Sequence, residues 1–308
     1  MNSARPTFEV LLAAYNGMTH LDEQIASILA QKDVDVTLSV RVDPSTDETL
    51  TKAREWAGED SRVARVVAAE RPAGGAARNF YHLICDVELP ESAGHVALAD
   101  QDDIWYPHKL SRAAHMLAAT SAGGYSSDVD AWDPDLRRSV PLVKSQPQRT
   151  WDHLFSSAGP GCTYVLSRPV FLEFQSWLQG LDQSERNAID YHDWLIYAWA
   201  REKGYLWIID NQRTMAYRQH SSNQIGANRG LSAARRRLAQ VRDGWYFDQV
   251  RRTADVLGVG EGTPVDALRH LSASDRLRLV RAAPQARRRK VDQAALAAAA
   301  VLAPRRRS

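Results

Sequence analysis

Apolar and polar segments alternate regularly along the first third of the chain. Short apolar runs predict four strands, at residues 8–13, 36–42, 62–68 and 94–99. Longer segments with apolar residues at helical spacing lie between them, at residues 21–31, 48–57 and 76–85. Strands that alternate with helices predict an α/β fold with a mostly parallel sheet covered on both faces.

Ligands bind such sheets beyond the carboxyl ends of the strands. Four segments follow the predicted strands, at residues 14–17, 43–47, 70–75 and 100–103. Because the carboxyl ends of parallel strands share one edge of the sheet, we expect these four segments to line one crevice. The chemistry of the protein should therefore be sought there.

The segment after the fourth strand carries three carboxylates within four residues, Asp100, Asp102 and Asp103. Carboxylates crowded at a strand end repel one another unless a cation lies between them. Their hard oxygen atoms suit Mg²⁺ or Mn²⁺, and such an ion can hold a diphosphate. The alternative is a solvated acidic turn without a ligand.

The second half has a weaker pattern. Residues 121–149 are polar and predict an irregular segment, while residues 191–203 predict a helix capped by Asp190 and stopped by Gly204. Residues 205–209 predict another strand, and residues 215–228 predict a polar loop. Helical patterns dominate beyond residue 229.

Composition limits the class of protein. The chain has 308 residues, 44% of them hydrophobic and 25% charged, which is ordinary for a globular protein. Two cysteines, Cys85 and Cys162, predict packing residues in a reduced protein, because neither has a nearby ligand partner in sequence. With no apolar run near 18 residues and no signal-peptide pattern, we expect a cytoplasmic location.

The net charge of +2 conceals an asymmetry. Residues 229–308 contain 18 Lys/Arg and 7 Asp/Glu, so the tail carries +11 and the body −9. The basic clusters 235–237, 287–290 and 305–307 are compatible with peripheral contact at the inner face of the cell membrane. The alternative is a helical tail that packs on the body through four apolar residues: Leu277, Leu279, Val280 and Leu296. Nucleic acid is not expected, because the clusters lack interleaved aromatic residues.

Five motifs in order resemble glycosyltransferase family 2, in particular its bacterial rhamnosyltransferase-like members. They are VLLAAYNG at 10–17, DPSTDET at 43–49, GGAARNF at 74–80, DQDDIWYPHKL at 100–110, and HDW at 192–194 followed by YRQHSSNQIG at 217–226. Each motif alone is weak, but their order and spacing are specific. The resemblance implies a GT-A fold over residues 1–228, followed by a basic, mainly helical extension over 229–308.

The resemblance also implies a nucleotide-sugar site. Tyr15 resembles the aromatic residue that lies against the base, and Asp43 the carboxylate that accepts from the pyrimidine imide. Arg78 matches a residue near the nucleotide and its diphosphate. Asp100 and Asp102 match the two carboxylates of the family's DxD motif, and Asp100 resembles a residue that contacts the ribose or supports the metal ligand. The acidic residue and the glycine that often flank Asp43 in the family are here Val42 and Pro44. Tyr15 as a core aromatic and Asp43 as a turn residue are the alternatives.

Metal and catalytic residues follow from the same match. Asp102 resembles a direct ligand of Mn²⁺ or Mg²⁺, with His220 near the metal or the diphosphate, and Asp193 resembles the catalytic base. Arg218 is a further candidate phosphate partner, because guanidinium matches phosphate oxygens. Alternatives are a surface position for His220 and a role for Asp193 in stabilising a helix N-terminus only.

The resemblance implies an inverting, metal-dependent transferase. It would move a sugar from dTDP-rhamnose or a UDP-sugar to a cell-surface glycan or lipid-linked acceptor. Two other functions stay open on the sequence: a nucleotidyltransferase, which shares the scaffold and the acidic metal site, and a catalytically silent nucleotide-sugar-binding scaffold for polysaccharide assembly. Turnover of a nucleotide-sugar distinguishes the transferase from both.

Overall fold

A computed structural model describes residues 4–133, 137–219 and 244–303 of the chain. Nine strands form one sheet: β1 Thr7–Ala14, β2 Asp35–Val42, β3 Arg65–Ala68, β4 His95–Asp100, β5 Ile104–Trp105, β6 Gly124–Asp133, β7 Arg138–Leu142, β8 Val165–Ser167 and β9 Trp207–Arg218. The four strands predicted in the first third are confirmed, although β3 begins at Arg65 rather than at residue 62.

The α-helices lie between and after these strands: α1 Leu21–Leu29, α2 Thr49–Glu59, α3 Ala76–Asp86, α4 Lys109–Thr120, α5 Asp152–Phe155, α6 Arg168–Gly180, α7 Gln183–Asn187, α8 His192–Glu202, α9 Trp245–Leu257, α10 Ala273–Ala286 and α11 Lys290–Leu302. Short 3₁₀ helices span Gly161–Thr163 and Pro264–Leu268. The three helices predicted in the first third are confirmed, with ends shifted by up to two residues.

The strand order is β3-β2-β1-β4-β8-β6-β9-β5, and β7 pairs with β6. Strands β3, β2, β1 and β4 are parallel, while β8 runs antiparallel to both β4 and β6. The β1 side chains alternate between two apolar cores, Val10 and Leu12 in one and Leu11 and Ala13 in the other. The α/β class with helices on both faces is therefore confirmed.

The prediction of an irregular segment at 121–149 was wrong, because β6 and β7 lie within it. The β6 sequence is polar, yet its polar side chains are buried and bonded. The hydroxyl groups of Ser127 and Thr214 lie 2.7 Å apart, and the Asp128 carboxylate accepts from the backbone N–H of Lys144 at 2.6 Å. The polar side chains of a buried strand can hide its pattern when their partners lie on distant segments.

Two local predictions after residue 189 also need correction. Asp190 does not cap α8, whose N-cap position is Tyr191; the Asp190 carboxylate instead accepts from Trp245 Nε1 at 3.1 Å. Residues 215–218, predicted as the start of a loop, are the end of β9, and Met215 is fully buried. Residues 220–228 of that predicted loop lie outside the described residues.

The C-terminal helices pack on the body through a third apolar core, which Trp194 and Phe155 share with α9, α10 and α11. Leu279 and Leu296 are buried there and Val280 is half-buried, whereas Leu277 is exposed. Three of these four apolar residues thus pack on the body, which was one of the two alternatives for the tail. No helix of the described residues is long and apolar enough to cross a bilayer.

Candidate functional site

Three loops at the carboxyl ends of β1, β2 and β4 are joined by hydrogen bonds. The backbone N–H of Tyr15 donates to Gln101 Oε1, and Gln101 Nε2 donates to the Tyr15 carbonyl at 2.7 Å. The backbone N–H of Thr46 donates to Asn16 Oδ1 at 2.8 Å. Backbone N–H groups at strand ends have no partner in the sheet, so these side chains satisfy them and join the loops.

This bonding holds the Tyr15 backbone while its side chain stays 52% exposed. The core-aromatic alternative for Tyr15 is therefore wrong. Gly17 permits the arrangement, because a Cβ there would lie only 2.8 Å from the Gln101 side chain. Asn16 adopts the left-handed region, with φ of 48°, which asparagine tolerates better than most residues. The loop thus holds the Tyr15 backbone while leaving its ring exposed.

Asp43 is buried at the end of β2, where both of its carboxylate oxygens have partners. Arg41 Nη1 forms a 2.7 Å ion pair with Oδ1, and the Ala73 backbone N–H donates to Oδ2 at 3.0 Å. Asn79 on α3 accepts from the same Arg41 side chain. The bond to Ala73 brings the fourth loop to the crevice. Sequence reasoning missed Arg41 and Asn79, although a charged residue inside an apolar strand is a signal that a buried partner exists.

Arg78 lies in the first turn of α3, after Gly74 and Gly75, which both have positive φ. The half-buried guanidinium donates from Nη2 to the Asn187 carbonyl at 3.2 Å. A Cβ on Gly74 would lie 2.9 Å from Arg78 Nη1, so this glycine leaves room for the guanidinium. Burial and the nearby charges of Asp193 and Asp190 raise the pKa of Tyr81, whereas Arg78 lowers it.

The acidic cluster follows β4. Asp100 lies opposite Ala13 of β1, and burial, with repulsion from Asp102 and Asp193, raises the pKa of Asp100 to about 7. Carboxylate oxygens of Asp100 and Asp103 and the Sγ atom of Cys162 lie within 4.8 Å of one another. Cys162 is buried as a packing residue should be, but its position against the acidic cluster was not expected.

Asp103 differs from the other two acidic residues in being fully buried. Burial, with repulsion from Asp102 and Asp100, raises its pKa well above the usual range. The Lys109 Nζ lies nearby, 4.3 Å from the Trp105 ring centroid. Burial lowers the pKa of Lys109 to about 8, although attraction to Cys162 and Asp103 opposes this effect. Asp103 is therefore enclosed in the protein, while Asp100 and Asp102 remain half-buried.

Arg218 lies at the end of β9 and is almost fully buried against the acidic loop. Its Nε donates to the Asp102 carbonyl at 2.8 Å, and its backbone N–H donates to Asp103 Oδ1 at 3.1 Å. The guanidinium also pairs with Glu23 and lies 4.5 Å from the Trp132 ring centroid. These contacts hold the acidic loop in place. His220 lies outside the described residues.

Asp193 lies in the first turn of α8 and is 7% exposed. Burial raises its pKa to about 6, although the Trp194 N–H, the Ser157 hydroxyl and the Lys144 ammonium all favour the carboxylate. The Trp194 N–H to Asp193 Oδ1 distance is 2.8 Å. A carboxylate that only stabilises a helix end would usually lie exposed with an ordinary or lowered pKa, so this placement favours a chemical role.

Asp193 lies close enough to the acidic cluster to interact with it electrostatically. The charge of Asp193 is among the causes that raise the pKa of Asp100, so the two carboxylates lie within electrostatic reach. The loop before β8 makes this approach possible, because a Cβ on Gly161 would lie 2.4 Å from His192 Nε2 and 3.2 Å from the Asp193 Cβ. Trp105 and Trp194, which follow the acidic motifs in the sequence, are both buried.

A buried network lies behind Asp193. The fully buried Asp152 carboxylate accepts from Arg288 Nη1 at 2.8 Å, from Tyr197 at 3.1 Å and from Arg201 Nη1 at 3.3 Å. Arg288 Nη2 donates to the Ser157 carbonyl at 2.8 Å. The basic tail thus holds the segment of Ser157, whose hydroxyl donates to the Gly159 carbonyl at 3.1 Å and favours the Asp193 carboxylate.

Known proteins resemble this chain in sequence. Residues 6–145 match the model of a family described as glycosyltransferase like family 2. The dTDP-rhamnosyl transferase RfbG of Shigella flexneri is 39% identical over 246 residues, which cover 80% of this chain and 84% of that protein. This chain belongs to glycosyltransferase family 2. The family 2 transferase is accordingly an enzyme, and the expected family is confirmed.

Solved structures place the transferase in the GT-A fold. The structure of S. aureus TarS 1-349 in complex with UDP is 15% identical, with a TM-score of 0.55, over 90% of this chain and 71% of that one. The mannosyltransferase PcManGT from Pyrobaculum calidifontis, in complex with GDP-Man and Mn²⁺, is 19% identical, with a TM-score of 0.53, over 98% and 77%. At these identities the likeness shows the fold alone, and the GT-A expectation is confirmed.

Proposed function

We propose that the transferase moves a rhamnosyl residue from dTDP-rhamnose to a hydroxyl group of a cell-surface glycan or lipid-linked acceptor. The donor follows from the 39% identity to a dTDP-rhamnosyl transferase over most of both chains. The mechanism is supported by Asp193, a buried carboxylate of raised pKa whose charge also raises the pKa of Asp100. The expected products are a nucleoside diphosphate and a glycan with inverted anomeric configuration.

Donor binding is proposed for four residues around the crevice. The exposed ring of Tyr15 is suited to stack on the base, and such stacking tolerates different bases. Asp43 is held by Arg41 and the Ala73 N–H, and the remaining lone pairs of its carboxylate can accept from the imide of a thymine or uracil. Asp100 is assigned to the ribose. Arg78 is assigned to the diphosphate, and Arg218 supports it indirectly by holding the acidic loop.

The residues at the end of β4 fit a divalent cation. The pKa of Asp100 is raised by burial and by its acidic neighbours, and Asp103 Oδ2 is buried with no hydrogen-bond partner among the described residues. Burial keeps the Cys162 thiol neutral by raising its pKa, so it is a poor ligand for hard ions. We assign Mn²⁺ or Mg²⁺ to Asp102, with His220 as a further ligand candidate. When bound, such an ion would neutralise charge on the diphosphate leaving group.

Asp193 is assigned as the base that accepts the proton of the acceptor hydroxyl. Its raised pKa of about 6 makes it a stronger base than an exposed carboxylate, while at neutral pH it remains ionised. The Trp194 N–H orients the carboxylate, and the nearby Ser157 favours its ionised form. The acceptor oxygen then attacks the anomeric carbon in a single displacement, which needs no enzyme nucleophile. Residues 1–228 would bind donor and metal, and 229–308 would support the acceptor side.

Nucleoside diphosphate release from dTDP-, UDP- and GDP-sugars tests this proposal. The samples would contain Mn²⁺, Mg²⁺ or EDTA, and Asp102→Asn and Asp193→Asn would be compared with Asp86→Asn, an exposed aspartate at the end of α3. We expect dTDP release from dTDP-rhamnose that is lost in EDTA and in both site variants but kept in Asp86→Asn. Preferred turnover of a UDP- or GDP-sugar would overturn the donor assignment, and full activity in EDTA would overturn the metal.

A further inference from the structure

One face of α11 is exposed and entirely apolar. Its members recur every three or four residues, the spacing that places side chains on one side of a helix. They are Val291, Ala294, Ala295, Ala298, Val301 and Leu302. Leu302 is 65% exposed, and Val291 and Val301 are each 60% exposed. We call these six residues the α11 stripe.

The exposure of the stripe does not come from a poorly packed helix. The opposite face of α11 is buried, with Leu296 at 4% and Ala300 at 0% exposure, in the apolar core that it shares with α10. Arg276 of α10 donates to carbonyl groups at the end of α11, to Ala300 and to Ala303, both at 2.8 Å. The helix is therefore anchored with its stripe directed away from the protein.

Basic residues lie at the N-terminal end of the stripe. Arg289, whose side chain is half exposed, and the exposed Lys290 lie at the first turn of α11. The one acidic residue of α11, Asp292, lies near the guanidinium groups of Arg287 and Arg289, at 3.8 and 4.0 Å. In the sequence, three arginines at 305–307 follow shortly after the helix. An apolar helix face bordered by basic residues is the pattern of a helix that lies in a membrane interface.

The same helix begins beside the catalytic side of the crevice. Arg288, two residues before α11, donates to the Ser157 carbonyl, and Ser157 lies close enough to Asp193 to favour its ionised form. The start of α11 is therefore linked to the segment beside Asp193, the residue that contacts the acceptor if its proposed role holds.

We propose that the α11 stripe and its flanking basic residues dock on an anionic lipid bilayer. The helix has 13 residues and is about 20 Å long, so it lies along the interface of a hydrocarbon core about 30 Å thick. Negative lipid head groups bind Arg289 and Lys290, while the valines and Leu302 enter the acyl boundary. The docking itself is independent of the donor. The further idea that docking orients a lipid-linked acceptor toward Asp193 rests on the proposed function.

Co-sedimentation of the full chain with vesicles tests the docking. Vesicles of phosphatidylcholine alone would be compared with vesicles that also contain phosphatidylglycerol, at low and high salt. We expect binding only to the anionic vesicles, weakened by salt, and weakened about tenfold or more by Leu302→Asp or by Arg289→Glu with Lys290→Glu. Leu206→Asp, an exposed leucine of the body, and Arg54→Glu, an exposed arginine of α2, serve as matched controls and should bind like the unmodified chain.

Three results would overturn the docking proposal. The first is equal binding to neutral and anionic vesicles or to none, and the second is an equal loss of binding in Leu206→Asp and Leu302→Asp. The third is a dimer in sedimentation equilibrium that Leu302→Asp dissociates, because a second copy would then cover the stripe. Donor turnover measured in the same samples separates the two proposals, since a chain that turns over dTDP-rhamnose without binding vesicles refutes only the docking.

Discussion

Arg288 donates a 2.8 Å hydrogen bond to the carboxylate of Asp152, which has no exposed surface. One residue belongs to the basic tail and the other to the body, so this pair joins the two parts of the chain directly behind the site. A buried carboxylate depends on its cationic partners, because an uncompensated buried charge is costly. The tail is thereby linked to the geometry around Asp193.

Replacement of Arg288 by alanine should destabilise the protein and slow catalysis together. Arg201 and Tyr197 would still bond to Asp152, so we expect a loss of about 1–3 kcal/mol in the free energy of unfolding. We expect kcat to decrease while KM for the donor changes little, because Arg288 holds the Ser157 segment and does not contact the nucleotide site. Urea unfolding and steady-state kinetics measure both quantities.

Arg289→Ala is the control for that experiment, because Arg289 is adjacent but its side chain is half exposed. It should leave both kcat and unfolding free energy nearly unchanged. A loss of stability in Arg288→Ala without any change in kcat would contradict the proposed link between the tail and Asp193.

The pH dependence of the reaction should report on Asp193. A base must be ionised to accept a proton, and burial places the pKa of Asp193 at about 6. We therefore expect kcat/KM to be steady above that pH and to fall about tenfold per unit below it. An activity that stayed constant down to pH about 4, the usual pKa of an exposed aspartate, would contradict the assignment of Asp193 as the base.

Asp193→Asn should inactivate the enzyme and yet stabilise the fold at neutral pH. The pKa of Asp193 is raised in the folded state, from 3.8 to about 6, so the folded state binds the proton more tightly than the unfolded state. The folded protein therefore loses stability as pH rises through this interval. Above it, the full cost of burying the ionised carboxylate remains. We expect the variant to gain about 1–3 kcal/mol at pH 8 and almost nothing at pH 3.

Urea unfolding of both chains at the two pH values measures this gain. Asp86→Asn, at an exposed position, should show no comparable change at either pH. A destabilised Asp193→Asn at pH 8 would indicate that the bonds to Trp194 and Ser157 outweigh the cost of burial, and Asp193 would then be mainly structural.

Gly17→Ala should weaken donor binding with only a modest effect on stability. The added Cβ would lie 2.8 Å from Gln101, whose carboxamide holds the Tyr15 backbone, so the side chain must move and the Tyr15 ring loses its fixed position. We expect the Kd for dTDP-rhamnose to rise about tenfold, since base stacking contributes on the order of 1–3 kcal/mol. Calorimetric titration of the donor measures the change.

Gly58→Ala is the matched control, because Gly58 lies within α2 with nothing within 4 Å of an added Cβ. It should stabilise the helix by up to about 1 kcal/mol and leave donor affinity unchanged. Equal affinities for all three chains would show that the Tyr15 loop does not take part in donor binding.

Local patterns were sufficient wherever an element buries its own apolar residues. Strands β1, β2 and β4 alternate around a core that their neighbours share, so hydrophobic spacing predicted them and the loops that follow them. The same reasoning failed for β6, because Ser127 and Asp128 are satisfied by Thr214 and by the segment at Lys144. Those partners lie far away in sequence, and nothing in the local pattern indicates them.

The α/β class, the family and the motif residues at strand ends, among them Tyr15, Asp43 and Asp102, could be predicted from the order of residues alone. Which charges interact could not, because that depends on the folded chain. Folding placed Lys109 and Cys162 against Asp103, brought Asp193 within reach of Asp100, and directed Arg288 to Asp152. The physical reason is that backbone patterning follows from neighbours along the chain, whereas burial and electrostatic coupling depend on groups brought together only by folding.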